Sequence, residues 1–159
     1  MDLEVKIKSV HNHFQNRKFL KAKEQLNKLI KKFPNNPYLL NLNGMAHQFL
    51  DDHHSAINFF NLAIKNEEKN IAAMNNLANS HKKLLNYFEA DLIYKKILDI
   101  DPSYIHGLNN YANLKLEINN YHDAISLLKK ALLIAKQKNV QPLNIMLSLA
   151  GIYQSINDL

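Results

Sequence analysis

Two stretches of the chain share one pattern, AAMNNLANSHKK at residues 72–83 and HGLNNYANLKLE at residues 106–117. Both contain the core NNxAN, and 34 residues separate every shared position. Other columns have the same spacing, above all an alanine that follows each predicted turn: Ala22, Ala56, Ala90 and Ala124. A fixed period of this length is typical of proteins built by stacking one supersecondary unit. The sequence therefore predicts a repeat protein.

Each unit divides into two amphipathic segments. Apolar or small residues recur at i, i+4 and i+7 in each segment, which predicts helices, and Asn or Asp marks the turns. The predicted helices span residues 2–15, 18–32, 36–49, 53–66, 70–83, 87–100, 104–117, 121–138 and 142–155. The eighth helix is expected to have an extra turn, because Ala150 follows Ala112 by 38 residues rather than 34.

The composition excludes several classes of protein. The chain has no Cys, which excludes disulfides and thiolate metal sites. No segment approaches the ~18 uncharged apolar residues that a membrane span needs, so a cytoplasmic protein is expected. The net charge of +6 comes from 19 Lys and one Arg against 14 acids, a poor supply of bidentate donors for nucleic acid. Only three Gly occur and no nucleophile–base motif is recognisable, so neither enzymatic activity nor a cofactor is predicted.

The 34-residue period, the columns of small residues, and the prolines at 34 and 102 resemble the tetratricopeptide repeat (TPR) family. The resemblance implies an all-α fold, a right-handed TPR solenoid of four helix pairs plus one C-terminal helix. It implies a single domain over residues 1–159, with repeats at about 3–36, 37–70, 71–104 and 105–141, and a partial fifth repeat at 142–159. The chain departs from the family at the turn glycine, which is replaced by Arg17, Asp51, Leu85 and Asn119.

The first helix of each TPR pair lines a concave groove. The resemblance places one lysine and seven amides there as candidate peptide-binding residues: Asn41, Asn75, Asn76, Asn79, Lys82, Asn109, Asn110 and Asn113. An amide both donates and accepts hydrogen bonds, so a ladder of amides can hold the backbone of an extended peptide. Asn is disfavoured inside helices, which indicates a function, although the 23 Asn of the chain can also reflect AT-rich coding. We expect these amides to lie off the packing face.

The predicted function is a non-catalytic protein–protein interaction module that binds a peptide or protein segment. The alternative is the substrate-presenting arm of a larger transferase, because NNLAN and NNYAN resemble the asparagine ladder of O-GlcNAc transferases and the opening residues resemble bacterial TPR–sulfotransferases. That alternative requires a catalytic domain beyond residue 159. A weaker option is a module that oligomerises through its ninth helix. The carboxylate clamp of Hsp70/Hsp90 cochaperones is not predicted, because Asn144 and Ser148 stand where cations are needed.

Histidines and lysines form two further patterns. His13, His47 and His81 share a column, but stacked helices keep such positions roughly 10 Å apart, whereas zinc ligands converge to ~2 Å from the metal. Ring packing between helices is therefore predicted, and no metal site, including at the run of residues 51–54. The lysines follow the second helices, and nine of the 20 basic residues lie within residues 2–34. A solvated face is expected there, with an acidic partner as the minority interpretation.

Overall fold

The computed structural model describes residues 2–157, with the side chains of Tyr153 and of residues 155–157 left out. Over these residues the chain forms nine α-helices and no strand: Leu3–Gln15 (α1), Phe19–Ile30 (α2), Pro37–Phe49 (α3), His53–Asn66 (α4), Ile71–Lys83 (α5), Tyr87–Ile100 (α6), Ile105–Glu117 (α7), Tyr121–Gln137 (α8) and Leu143–Asn157 (α9). The predicted boundaries differ from these by at most two residues. The last two residues of the predicted fifth repeat lie outside the described part.

The helices fall into two compact units that divide between Asn86 and Tyr87. The first unit contains α1 to α5, and each of its helices packs on its neighbours along the chain. The second unit contains α6 to α9, which pack in the same sequential manner. Packing between neighbours in sequence is what a repeat of helix pairs produces, because each pair must bury its apolar face on the next.

Several helices begin at a polar side chain that satisfies a free backbone N–H. Asn36, Asp52, Asn70 and Asn120 each accept a hydrogen bond from the backbone N–H three residues later, over 2.9–3.2 Å. Such caps replace partners that the first helical turn lacks. The Asn and Asp residues between helical segments, which predict turns, therefore also fix where the following helices start.

Five helices end in a Schellman motif without glycine. The residue after the helix adopts a positive φ of 52–62° at Arg17, Asp51, Leu85, Asn119 and Asn139. The next backbone N–H then bonds back to the carbonyl five residues earlier, over 2.8–3.0 Å. This conformation normally favours Gly, since a side chain costs energy in the left-handed region. The first four positions are those at which the sequence lacks the usual turn glycine.

Small residues occupy the tightest places in the core. The alanines of the predicted column, at 22, 56, 90 and 124, have no exposed surface. A Cβ added to Gly44 would lie 2.4 Å from the ring of Phe60, which is fully buried on α4. Glycine at this position therefore allows α3 and α4 to pack around an aromatic ring.

The eighth and ninth helices depart from the strict repeat. Helix α8 has 17 residues, compared with 14 in α4 and α6, which is the expected extra turn. Helix α9 buries Ile145, Leu149 and Ile152, the first two of them in the core that α7 and α8 share. Its opposite side exposes more than half of the surface of Met146 and Leu147.

Candidate functional site

The candidate amides of the first unit lie on α3 and α5. Asn41 and Asn75 are only 8% and 7% exposed, while Asn76 and Asn79 are half-buried. The Nδ2 of Asn76 donates a hydrogen bond to the Oδ1 of Asn41 over 3.1 Å. This bond joins the first helices of two successive repeats. The expectation that the amides lie off the packing face is therefore wrong for Asn41 and Asn75.

A second polar link joins the same two helices. The Nε2 of Gln48 on α3 donates to the Oγ of Ser80 over 3.1 Å and to the backbone carbonyl of Asn76 over 3.3 Å. Ser80 is fully buried, so its hydroxyl needs a partner within the protein. Lys82 lies half-buried near the C-terminal end of α5. The polar groups of α3 and α5 thus hold the helices in register and also line their half-exposed surface.

The candidate amides of the second unit lie on α7, where Asn109, Asn110 and Asn113 are all half-buried. By the 38-residue step into α9, the position equivalent to the Asn76 donor is Ser148. The Oγ of Ser148 instead donates to the carbonyl of Asn144 in its own helix, over 3.0 Å. Within the described residues, the buried Oδ1 of Asn109 has no hydrogen-bond partner. The pairing seen between α3 and α5 is not repeated between α7 and α9.

An open cavity of about 280 Å³ lies beside Asn109 in the second unit. Its walls include His106 from α7, Asn144 from α9 and Lys138 from the connection between α8 and α9. The Nζ of Lys138 donates to the Oγ of Ser103 over 3.1 Å. The cavity thus combines one cation with neutral amide and hydroxyl groups, a mixture suited to polar contacts with a peptide.

The histidine column serves packing at His47. Its ring stacks on Phe59 with centroids 5.2 Å apart, and its Nδ1 lies 2.9 Å from the Oδ2 of Asp52. Hydrogen bonds from Ser55 and His47 lower the pKa of Asp52 to about 2. Among residues 2–157, no group of three or more His, Asp or Glu side chains is arranged to hold a metal ion. His53 is buried and contacts Asp51 over 3.2 Å.

A charged network around Asp91 joins α6 and α7, and the sequence gave no prediction of it. The carboxylate accepts hydrogen bonds from Tyr111 and Lys115 and pairs with Lys95, each over 2.7 Å. Burial opposes ionisation of Asp91, but its bonds to Lys115, Lys95 and Tyr111 outweigh burial and lower its pKa to about 2. The ring of Tyr111 stacks on Tyr94 and faces the Lys115 ammonium. One signal was available, because Lys115 continues the column of His13, His47 and His81.

None of the helices within residues 2–157 combines the length and the hydropathy needed to cross a bilayer. No curated protein sequence matches the chain.

Comparisons with repeat models and solved structures identify the fold. Tetratricopeptide repeat models match residues 12–36 and 38–70. The crystal structure of MamA is similar with a TM-score of 0.75 at 20% identity, covering 87% of this chain and 81% of MamA. The first TPR of Spaghetti (RPAP3), solved with the HSP90 peptide SRMEEVD, has a TM-score of 0.68 at 20% identity, covering 72% of this chain and 91% of that one.

A third similar structure is the second TPR domain of human RPAP3, solved with the HSP70 peptide SGPTIEEVD. Its TM-score is 0.65 at 17% identity, covering 69% of this chain and 92% of that domain. At these identities the likeness concerns the fold. The helix pairs, the matched repeats and the similar structures together show that this chain contains tetratricopeptide repeats and has the all-α TPR fold.

Proposed function

We propose that the chain is a non-catalytic protein-interaction module that holds an extended polypeptide segment against the amide-bearing faces of its first helices. The residues proposed to contact the segment are those named from the sequence: Asn41, Asn75, Asn76, Asn79, Lys82, Asn109, Asn110 and Asn113. The observation that carries the proposal is the placement of half-exposed amides inside α5, repeated 34 residues later inside α7. A helix interior disfavours Asn, so a solvent-facing pair in each helix indicates a role outside the fold.

The chemistry of the amides suits a peptide backbone. An Asn side chain has two N–H donors and an acceptor oxygen, so Asn76 can donate one hydrogen to Asn41 and still offer polar atoms to a ligand. A backbone amide of an extended ligand presents the complementary groups. Peptide binding by the RPAP3 TPR domains, which their structures record, shows that this fold can hold such a segment.

The proposed mode differs from capture of a chain terminus. The bound peptides named for RPAP3 end in the acidic sequence EEVD. A charge-assisted grip on a terminal carboxylate needs Lys or Arg at the gripping positions, and here Asn144 and Ser148 take the place of those cations. We therefore expect recognition of the backbone within a segment, independent of a free C-terminus.

The test uses peptides selected on the purified chain from a phage-displayed random library. Their affinity is then measured by fluorescence anisotropy for wild type and for the double variant Asn76→Ala/Asn110→Ala. We expect affinity to fall by about tenfold, or 1.4 kcal/mol, through loss of two hydrogen bonds. The matched control is Asn58→Ala/Asn61→Ala, which removes two exposed amides from α4 and should leave affinity unchanged.

Two outcomes would contradict the proposal. Equal affinity for the double variant and the control would show that the amides do not contact the peptide. Strict dependence on a free C-terminal carboxylate, tested with C-terminally amidated copies, would instead favour terminal capture. The transferase arm and the cytoplasmic location stay predictions, and neither MamA nor RPAP3 is described as a transferase.

A further inference from the structure

The first helix pair contains polar residues at positions that are apolar in the other repeats. Lys6 on α1 shares the column of Leu40, Met74 and Leu108, which are at most 2% exposed. Gln25 on α2 shares the column of Phe59, Ile93 and Leu127. In the second repeat, Leu40 packs with Ala63, and Phe59 covers them. The first repeat therefore lacks the apolar side chains that fill this place in its neighbour.

An open cavity of about 530 Å³ lies at that place. Leu29, which shares the column of Ala63, forms part of its wall, and Lys28, Lys31 and Lys32 surround it together with Lys6. Gln25 is held in position, because its Nε2 donates to the carbonyl of Lys6 and its Oε1 accepts from Ser9, both over 3.1 Å. The cavity is thus a built feature of the α1–α2 pair. We call it the lysine pocket.

The lysine pocket has a single sign of charge. No acidic side chain lines it, and within the described residues none of its four lysines takes part in an ion pair. Residues 2–34 contain nine basic and three acidic residues, an excess of six that equals the net charge of the chain. Solvation of a helix pair requires polar residues but not one sign of charge. Four unpaired ammonium groups around a cavity instead favour binding of an anion.

The form of the pocket indicates which anion fits. A nucleic-acid site normally includes Arg or an aromatic ring for stacking, and neither lines this pocket. A flat lipid surface would contact the rim but not enter a concave space. The walls consist of aliphatic lysine stems and Leu29, with the ammonium groups at their ends. An apolar side chain flanked by carboxylates matches both the walls and the rim.

We propose that the lysine pocket binds an acidic polypeptide segment in which carboxylates flank an apolar side chain. This site shares no residue with the amide-bearing faces of α3, α5 and α7, so it would add a second contact point for a protein partner. Its polar residues replace apolar core residues at a cost in stability, a compromise expected at functional positions.

The experiment measures binding of a fluorescein-labelled, amidated peptide Glu-Glu-Leu-Glu-Glu to the full chain by anisotropy at low salt. We expect saturable binding that weakens as salt is added, and no binding of the matched peptide Gln-Gln-Leu-Gln-Gln. Reversal of two rim charges in Lys31→Glu/Lys32→Glu should weaken binding by about tenfold or more. The matched control Lys129→Glu/Lys130→Glu makes the same charge change on exposed residues of α8 and should retain binding.

A second variant separates binding from folding. Lys6→Leu restores the apolar pattern of the other repeats, so it should raise the thermal midpoint while weakening the acidic peptide. The proposal is overturned if wild type does not bind the acidic peptide, or if both charge-reversed variants bind it equally. It is also overturned if vesicles of phosphatidylcholine and phosphatidylserine compete fully with the peptide and require the same lysines, which would identify a lipid site.

Discussion

Successive helices are joined by different chemistry in the two units. In the first unit, neutral groups join α3 to α5 through the bonds from Asn76 to Asn41 and from Gln48 to Ser80. In the second unit, the carboxylate of Asp91 joins α6 to α7 through ionic bonds of 2.7 Å. Both arrangements pair polar groups that packing removes from water. The difference teaches that the repeat period fixes where helices meet but leaves the polar chemistry of each contact open.

The largest effect is expected from breaking the ionic contact. Asp91→Ala leaves Lys115, whose side chain is 12% exposed, without its carboxylate, and also removes the acceptor of Tyr111. Loss of one partner of a largely buried ion pair should lower the free energy of unfolding by about 3 kcal/mol at neutral pH. Urea unfolding followed by circular dichroism measures this change.

The control for that variant is Asp99→Ala, an exposed acid on the same helix that should cost little. The pH dependence provides a further check. The folded pKa of Asp91 is lowered to about 2, so its contribution is complete above the usual value of 3.8 and is lost as pH falls toward 2. The gap in stability between wild type and Asp91→Ala should therefore shrink across this window. A gap equal to that of Asp99→Ala at neutral pH would contradict the network.

A smaller effect is expected from breaking the neutral contact. Asn76→Ala leaves the Oδ1 of nearly buried Asn41 without the donor that now reaches it. The free energy of unfolding should fall by about 1 kcal/mol, and the loss should not change with pH because neither group titrates. The double variant Asn41→Ala/Asn76→Ala should cost less than the sum of the two single changes. Additive losses would show that the two amides do not interact.

The smallest effect comes from building the neutral contact where it is missing. Ser148→Asn places an amide at the position that faces the buried Oδ1 of Asn109, which has no partner in the described residues. Supplying a donor should raise the free energy of unfolding by about 0.5–1 kcal/mol. Ser148→Ala is the control, since it removes the hydroxyl without adding a donor. Equal stability of the two variants would show that the amide does not reach Asn109.

The sequence predicted the helices and the small-residue columns well because both follow a strict period. Alanines at one spacing, such as Ala22 and Ala56, report directly on close packing. The expected role of the amides was only partly right, because one sequence position cannot show which of its neighbours a side chain meets. Asn41 was expected to face a ligand, yet it accepts a bond from the following repeat.

The charged network was missed for a related physical reason. Asp91 bonds to residues 20 and 24 positions away, and the equivalent columns hold no matching acid in the other repeats. A search for repeated features passes over an interaction that occurs once. The lysine pocket was visible only as an excess of Lys in the first repeat, since its geometry depends on two helices meeting at Lys6 and Gln25.

The left-handed turn at Leu85 has a consequence for local motion. A branched apolar residue at a φ of 61° carries a strain of about 1 kcal/mol, and its side chain is 69% exposed, so little packing offsets that strain. The equivalent turn at Asn119 has an amide residue that tolerates the same conformation. Opening of the last turn of α5 releases the strain at Leu85. The amide protons around this turn should therefore exchange with solvent faster than those around Asn119.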